Sequence, residues 1–211
     1  MGLREINRAA TLQSILKVAA ALFAEHGFHA VTTQSISKQV NIASGTLFRY
    51  AATKSELLLM VFNKKFEHIF QCGYTDALGQ DTALKAVLAM VQPAFELSTQ
   101  ELENTLAYQR ELLFGADGKY RDEGLKMIDT FENTISSTLL TFAQEQDQTL
   151  SQENADSAAR SIFATFQLAL TRIGRTNNPD ECQRELIRQI EQIIAGATKI
   201  NALSEGECES R

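Results

Sequence analysis

The sequence predicts an all-α protein of about nine helices: a three-helix N-terminal unit followed by a larger helical body. Apolar residues recur at a 3.6-residue spacing along most of the 211 residues, and runs that alternate apolar with polar are few. Only two prolines interrupt the pattern. A hydrophobic content of 44% is enough for one or two compact cores.

Residues 1 to about 7 read as a loose basic arm. A first helix follows from about Arg8 to His26, carrying Ile15-Leu16, Ala19-Ala20 and Leu22-Phe23, and Gly27 supplies its C-terminal stop. Phe28 and Val31 are expected to tuck beneath it. Ile36 and Val40, four residues apart, mark one face of a short second helix, and the small Ser37 permits a close helix crossing. Asn41 tolerates the left-handed conformation and can turn the chain sharply, with Ile42 plugging the angle. A third helix, about Ala43 to Tyr50, turns Leu47 inward and leaves Ser44, Gly45, Thr46 and Arg49 outward near its leading end. Thr53-Lys54-Ser55-Glu56 is a capping box opening a helix from Lys54 to about Cys72, which connects the two domains.

Beyond Gly73, Asp81 or Thr82 opens a helix to about Leu97, with Pro93 bending or ending it. Ser98-Thr99-Gln100-Glu101 reads as a second capping box, launching a helix to about Phe114, and Gly115 to Gly118 forms a turn. Long helices are expected from Lys119 to about Gln146 and from Gln152 to about Ile173. Gly174 to Pro179 breaks the chain, and Asn178-Pro179-Asp180-Glu181 starts a last helix that reaches about Ile200. The expected domains are therefore 1–53, 54–203 and an acidic, disordered tail at 204–211.

Two short helices joined by a tight turn are the arrangement that presents one helix to the major groove of DNA. Hydroxyls and a glycine near its leading end allow close approach to phosphates and base edges. Lys54, in the first turn of the next helix, opposes the helix dipole unless an anion such as a phosphate lies nearby. The net charge of −6 is unevenly spread. Residues 1–54 hold six Lys/Arg against two acids, a balance of +4; the rest hold 14 against 24, a balance of −10. Positive charge is concentrated on the module expected to meet phosphate.

At about Arg8 to Val61 the chain resembles the tetracycline-repressor (TetR) family of transcriptional regulators. The resemblance is carried by the first-helix apolar pairs, Glu25-His26-Gly27-Phe28, Thr32-Thr33, Ser44-Gly45-Thr46-Leu47-Phe48-Arg49-Tyr50 and Thr53-Lys54-Ser55-Glu56-Leu57. It departs from the family pattern at Ser37, at Val40-Asn41-Ile42, at Phe48, where a phosphate-bonding Tyr is common, and at Ala51, where Phe is common. The resemblance implies DNA binding through Thr33, Gln34, Ser44, Gly45, Thr46, Phe48, Arg49, Tyr50 and Lys54. It also implies a C-terminal ligand-binding and dimerisation domain, a homodimer on a palindromic operator, and repression relieved by a small, largely apolar effector.

The last two helices carry apolar stripes: Ala155, Ala159, Ile162, Phe166, Ala169 and Ile173, then Leu186, Ile190, Ile193, Ala197 and Ile200. Further apolar residues lie off each stripe, so one face is available for a partner; the dimer interface is expected at the stripe residues Ala155 to Ala169 and Leu186 to Ala197. Candidate effector contacts are Phe66, Phe70, Phe95, Tyr108, Arg110, Phe114, Phe131, Phe163 and Phe166, lining a cavity in the second domain.

No nucleophile elbow, phosphate loop or metal-ligand cluster is legible, so no enzymatic activity, cofactor or metal is expected. Cys72, Cys182 and Cys208 are scattered and odd in number, which suits free thiols in the cytoplasm. No apolar run has membrane-spanning length and no export leader is apparent. Two alternatives stay open: a regulator controlled by a protein partner, and a helical enzyme or carrier with a vestigial DNA module.

Overall fold

A computed structural model of the chain describes residues 2–206; of Leu3 and residues 199–206 it describes the backbone alone. Among the described residues nine helices follow one another: α1 (Leu3–Ala30), α2 (Thr33–Val40), α3 (Ser44–Leu47), α4 (Lys54–Ala77), α5 (Ala83–Gln100), α6 (Leu102–Phe114), α7 (Lys119–Glu145), α8 (Gln152–Thr176) and α9 (Pro179–Gly206). The all-helical class matches the sequence reading, while several boundaries move for identifiable reasons.

Helix α1 starts at Leu3, so most of the expected loose arm is helical; the Glu5 carboxylate accepts the Gly2 N–H at 3.0 Å and caps the start. Gly27 interrupts α1 with non-helical backbone at φ 78°, ψ 160°, at the position where the sequence reading put a helix stop. Its φ of 78° is left-handed, and a Cβ there would lie 2.5–2.7 Å from the Glu103 carboxylate. Helix α3 is a single turn. The chain then tightens, with Arg49 N–H donating to the Thr46 carbonyl at 3.2 Å and Tyr50 N–H to Leu47 at 2.9 Å. Helix α4 continues past Cys72 to Ala77.

The second expected capping box does not form. Helix α5 runs on through Pro93 to Gln100, and Ser98 is fully buried inside it, donating to the Ala94 carbonyl at 2.6 Å. The Glu101 carboxylate is taken instead by Lys65 and Asn104. Gly174 lies within α8, and the chain break shrinks to Asn177, left-handed at φ 50°, and Asn178, whose side chain caps Glu181 N–H at 3.2 Å. Helix α9 passes the expected end near Ile200. The side chain of Ile200 and residues 207–211 of the expected tail lie outside the described residues.

The chain divides into two compact units. The first comprises the residues up to Phe66 together with Glu101–Lys126. Its core gathers Ile15, Ala19 and Phe23 of α1, Ile36 of α2, Leu47 of α3, and Leu57, Leu58 and Phe62 of α4, all fully buried or nearly so. Ser37 is buried too, its hydroxyl donating to the Thr33 carbonyl at 2.8 Å, in keeping with a close crossing. Phe62 and Phe66 both stack on Tyr108 of α6, each with centroids 5.4 Å apart.

The second unit comprises Glu67–Gln100 and the residues from Met127 onward. Helices α8 and α9 pack on each other, and α5 packs on both. Pro93 has no N–H for the Ala89 carbonyl, and α4 approaches α5 at that point. A Cβ on Gly73 would lie 2.8 Å from the Ala89 oxygen and 2.9 Å from the Met90 Cα. This packing corrects the expected dimer stripe. Ala155, Ala159, Ile162, Phe166, Ala169, Leu186, Ile190 and Ala197 are all buried within the single chain, and Ile193 is half-buried. Their stripes face each other and α5, leaving a different face of α8 outward. Among the described residues no helix is long and apolar enough to cross a membrane.

Candidate nucleic-acid interface

Helix α2 opens on a reciprocal cap: the Thr32 hydroxyl accepts Ser35 N–H at 3.1 Å, and the Ser35 hydroxyl accepts Thr32 N–H at 3.2 Å. It closes at Asn41, whose φ 59°, ψ 47° is the left-handed corner expected from the sequence. Ile42 N–H then donates to the Ser37 carbonyl at 3.0 Å, satisfying an orphan acceptor of the helix end. Ala43 is extended and delivers the chain into α3, where Leu47 is the inward anchor.

These constraints leave a defined outward set. Gln34, Ser44, Gly45, Phe48 and Arg49 are exposed; Thr33, Thr46 and Tyr50 are half-buried. Beyond its chain neighbours and the backbone of its own helix, no atom lies within 4 Å of where a Cβ on Gly45 would sit, so packing alone does not require glycine there. The Arg49 guanidinium donates to the Thr46 hydroxyl at 3.2 Å, which orients it along α3. Phe48 keeps 45% of its surface exposed, an apolar ring at the end of a polar face. Ala51, which stands where Phe is common in the family pattern, is buried.

Lys54 requires a correction. Its ammonium donates to the carbonyls of Phe28 at 2.9 Å, Val31 at 3.1 Å and His29 at 3.4 Å, and lies 4.4 Å from the Phe28 ring centroid. A lysine has three N–H donors, and here all three serve the C-terminal end of α1, where carbonyls lack helical partners and the dipole favours a cation. The group expected to await a phosphate instead fastens α4 to α1.

The same corner recruits α6, a placement that no local pattern of residues foretells. The Glu103 carboxylate accepts His29 N–H at 2.9 Å, and the buried Asn104 amide donates to the Phe23 carbonyl at 2.8 Å. These partners are 74 and 81 residues apart in sequence, beyond any local pattern.

The nine expected effector contacts do not line one cavity. Phe66 and Tyr108 stack in the first unit, whereas Phe70 stacks on Phe131 at 4.3 Å and Phe131 meets the edge of Phe163 at 6.4 Å in the second. Phe95 and Phe166 are buried in the core. Phe114 is 83% exposed and Arg110 is exposed, paired with Glu111 at 2.9 Å. A groove of about 570 Å³ opens in the second unit, lined by Tyr74 and Leu78 of α4 and by Thr134, Ser137, Phe142 and Glu145 of α7, among others. None of the nine residues lines it.

Residues 15–61, from α1 into α4, match the model of bacterial regulatory proteins of the tetR family. The chain thus carries an N-terminal domain of the tetR family type. The chain is 26% identical over 98 residues to the fatty acid metabolism regulator protein of Bacillus subtilis (strain 168), a match covering 46% of this chain and 50% of that protein. It thus spans about half the length of that relative. Its fold is similar to that of FadR from Bacillus subtilis in complex with stearoyl-CoA, with a TM-score of 0.63 and 19% identity over 88% of this chain and 97% of that one. It is also similar to a transcriptional regulator from Saccharomonospora viridis in complex with choline, with a TM-score of 0.66 and 20% identity over 87% of this chain and 96% of that one. At these identities the structural likeness is one of fold.

Proposed function

We propose that this chain is a DNA-binding transcriptional regulator of the TetR family, a homodimer that represses from a palindromic operator and releases it when a small, largely apolar effector binds. The observation that carries the reading is the outward set on α2 and α3. Gln34, Ser44, Gly45, Thr46, Phe48 and Arg49 sit on a helix pair whose corner and core are fixed, and the fold leaves most of their polar groups facing outward. Arg49 suits a guanine edge and Phe48 a thymine methyl, while Ser44 and Thr46 suit phosphate oxygens across the open space at Gly45. A mobility shift on the DNA flanking its own gene, repeated across salt concentrations, tests this reading. Preference over random duplex is expected, and Thr46→Ala or Arg49→Ala should alter the preferred sequence. Equal affinity for flanking and random DNA refutes the reading.

For the dimer, we assign the contact to the outward face of α8 in place of the buried stripes. Ser161, Ala164, Leu168 and Thr171 share that face, and Leu168 is 52% exposed. For the effector, the fatty-acid relative and the stearoyl-CoA complex favour a long-chain acyl compound. Tyr74, Leu78 and Phe142 in the groove suit an acyl chain, and no Lys or Arg lines it to hold phosphates. Tyr74 and Glu145 in the same groove favour a second reading, a quaternary ammonium compound. Operator release by stearoyl-CoA, by free stearate, by choline or by none of them separates these readings.

A further inference from the structure

We propose that Tyr120 is a positioning residue for DNA binding: from the first turn of α7 its phenol holds the carbonyl of Tyr50, where the recognition segment ends. The inference rests on the DNA-binding reading and identifies what sets the pose of that segment. The Tyr120 hydroxyl donates to the Tyr50 carbonyl at 3.0 Å, across 70 residues of sequence. Helix α3 has one turn and a tightened continuation, so few internal hydrogen bonds define its direction, and the carbonyls at its end lack helical partners. External restraint therefore matters more here than on a long helix. Tyr50 is held from the other side too, its own hydroxyl reaching the Arg8 carbonyl of α1 at 3.4 Å.

A restraint positions only if it is itself fixed, and the α6–α7 corner is fixed three ways. The Asn63 amide of α4 donates to the Tyr120 carbonyl at 2.7 Å, while its oxygen accepts the buried Tyr108 hydroxyl at 2.8 Å. The Arg121 guanidinium donates to the Leu112 carbonyl at 3.0 Å and the Leu113 carbonyl at 3.4 Å, capping α6, and pairs with Asp117 at 2.9 Å. Gly124 admits the close approach: a Cβ there would lie 2.6 Å from the Leu112 side chain and 2.8 Å from the Asn63 oxygen. Helices α4, α6 and α7 thus converge on one phenol, and that phenol grips the end of the recognition segment. Burial pushes the Tyr120 and Tyr108 hydroxyls above their ordinary pKa, so both stay protonated donors.

Tyr120→Phe deletes the gripping hydroxyl and keeps the ring; Tyr108→Phe deletes the more deeply buried hydroxyl and keeps the Asn63–Tyr120 bond. Kd for operator and for random duplex, the salt slope and the melting temperature are measured for both variants and the wild type. Tyr120→Phe is expected to weaken operator binding about 2–10-fold, the range of one hydrogen bond, with random-duplex affinity and salt slope unchanged. Tyr108→Phe is expected to lower the melting temperature at least as far and to preserve the operator-to-random ratio. An unchanged ratio in Tyr120→Phe overturns the proposal, as does a ratio that falls equally in Tyr108→Phe. Wild-type protein that does not discriminate its operator sinks the DNA-binding reading, and this inference with it.

Discussion

The ammonium of Lys54 and the empty space at Gly45 show opposite ways in which one side chain can be committed. Lys54 sits where a phosphate contact was expected, yet its three donors already meet the carbonyls of Phe28, His29 and Val31. Lys54→Met keeps most of the stem's packing and strands those acceptors. It should therefore cost about 1–3 kcal/mol in urea unfolding while leaving the salt slope of DNA binding as in the wild type. A slope lower by one unit at unchanged stability would restore the phosphate role. Beyond its chain neighbours and the backbone of its own helix, Gly45 has no atom within 4 Å of its missing Cβ, so the fold gains nothing from glycine there. Gly45→Ala in α3 should leave stability unchanged or raise it by up to about 1 kcal/mol, and should weaken binding to every duplex if a nucleic-acid backbone passes close to this position. Undiminished DNA affinity in that variant would remove the close approach from the proposed interface.

Between elements, polar groups join α7 to α8. The buried Ser136 hydroxyl of α7 donates to the Asp156 carboxylate of α8 at 2.6 Å, and the Gln152 amide adds a bond of 2.8 Å to the same oxygen. The Ser136 bond first, then the Gln152 bond, hold the Asp156 carboxyl below its ordinary pKa. A carboxyl with a depressed folded pKa stabilises above the unfolded value, about 4, and loses that contribution as pH falls through the folded value. The stability gap between wild type and Asp156→Ala should therefore be full at pH 7 and close progressively as the pH drops below about 4. A gap independent of pH would mean that the carboxyl charge contributes nothing. The sequence could not show this link, and the same limit explains which elements were legible. The Thr53 cap, the Asn41 corner and the Asn178 cap were legible because each depends on residues within a turn of one another. Helix ends that depend on distant partners were not. The Ser98 capping box fails because Lys65 and Asn104 take the Glu101 carboxylate. Nor does periodicity reveal a stripe's partner: the α8 and α9 stripes were read correctly as apolar and wrongly as outward.

For the whole molecule, the question is how one short recognition segment becomes a specific one. A single helix-turn-helix reads a few base pairs, and two of them in register read two half-sites about 34 Å apart, so specificity depends on what holds two chains together. With the α8 and α9 stripes used up inside each chain, the outward Leu168, flanked by Ser161, Ala164 and Thr171, is the apolar anchor we propose for that contact. The hydroxyls of Ser161 and Thr171 donate to carbonyls of their own helix, at 2.8 Å and 3.3 Å, so two such faces can approach without stranding a donor. Leu168→Glu puts two like charges against each other across a two-fold axis but leaves each chain's core untouched. At micromolar concentration it should sediment as a single chain with wild-type helical content, because a substitution at so exposed a site changes chain stability by less than about 0.5 kcal/mol. Its operator affinity should fall toward that of one half-site, while weak binding to random duplex, which needs only one cationic head, persists. If Leu168→Glu still sediments as a dimer, the contact lies on another face. If it is a single chain that still binds the full operator as tightly as the wild type, pairing is not the source of specificity.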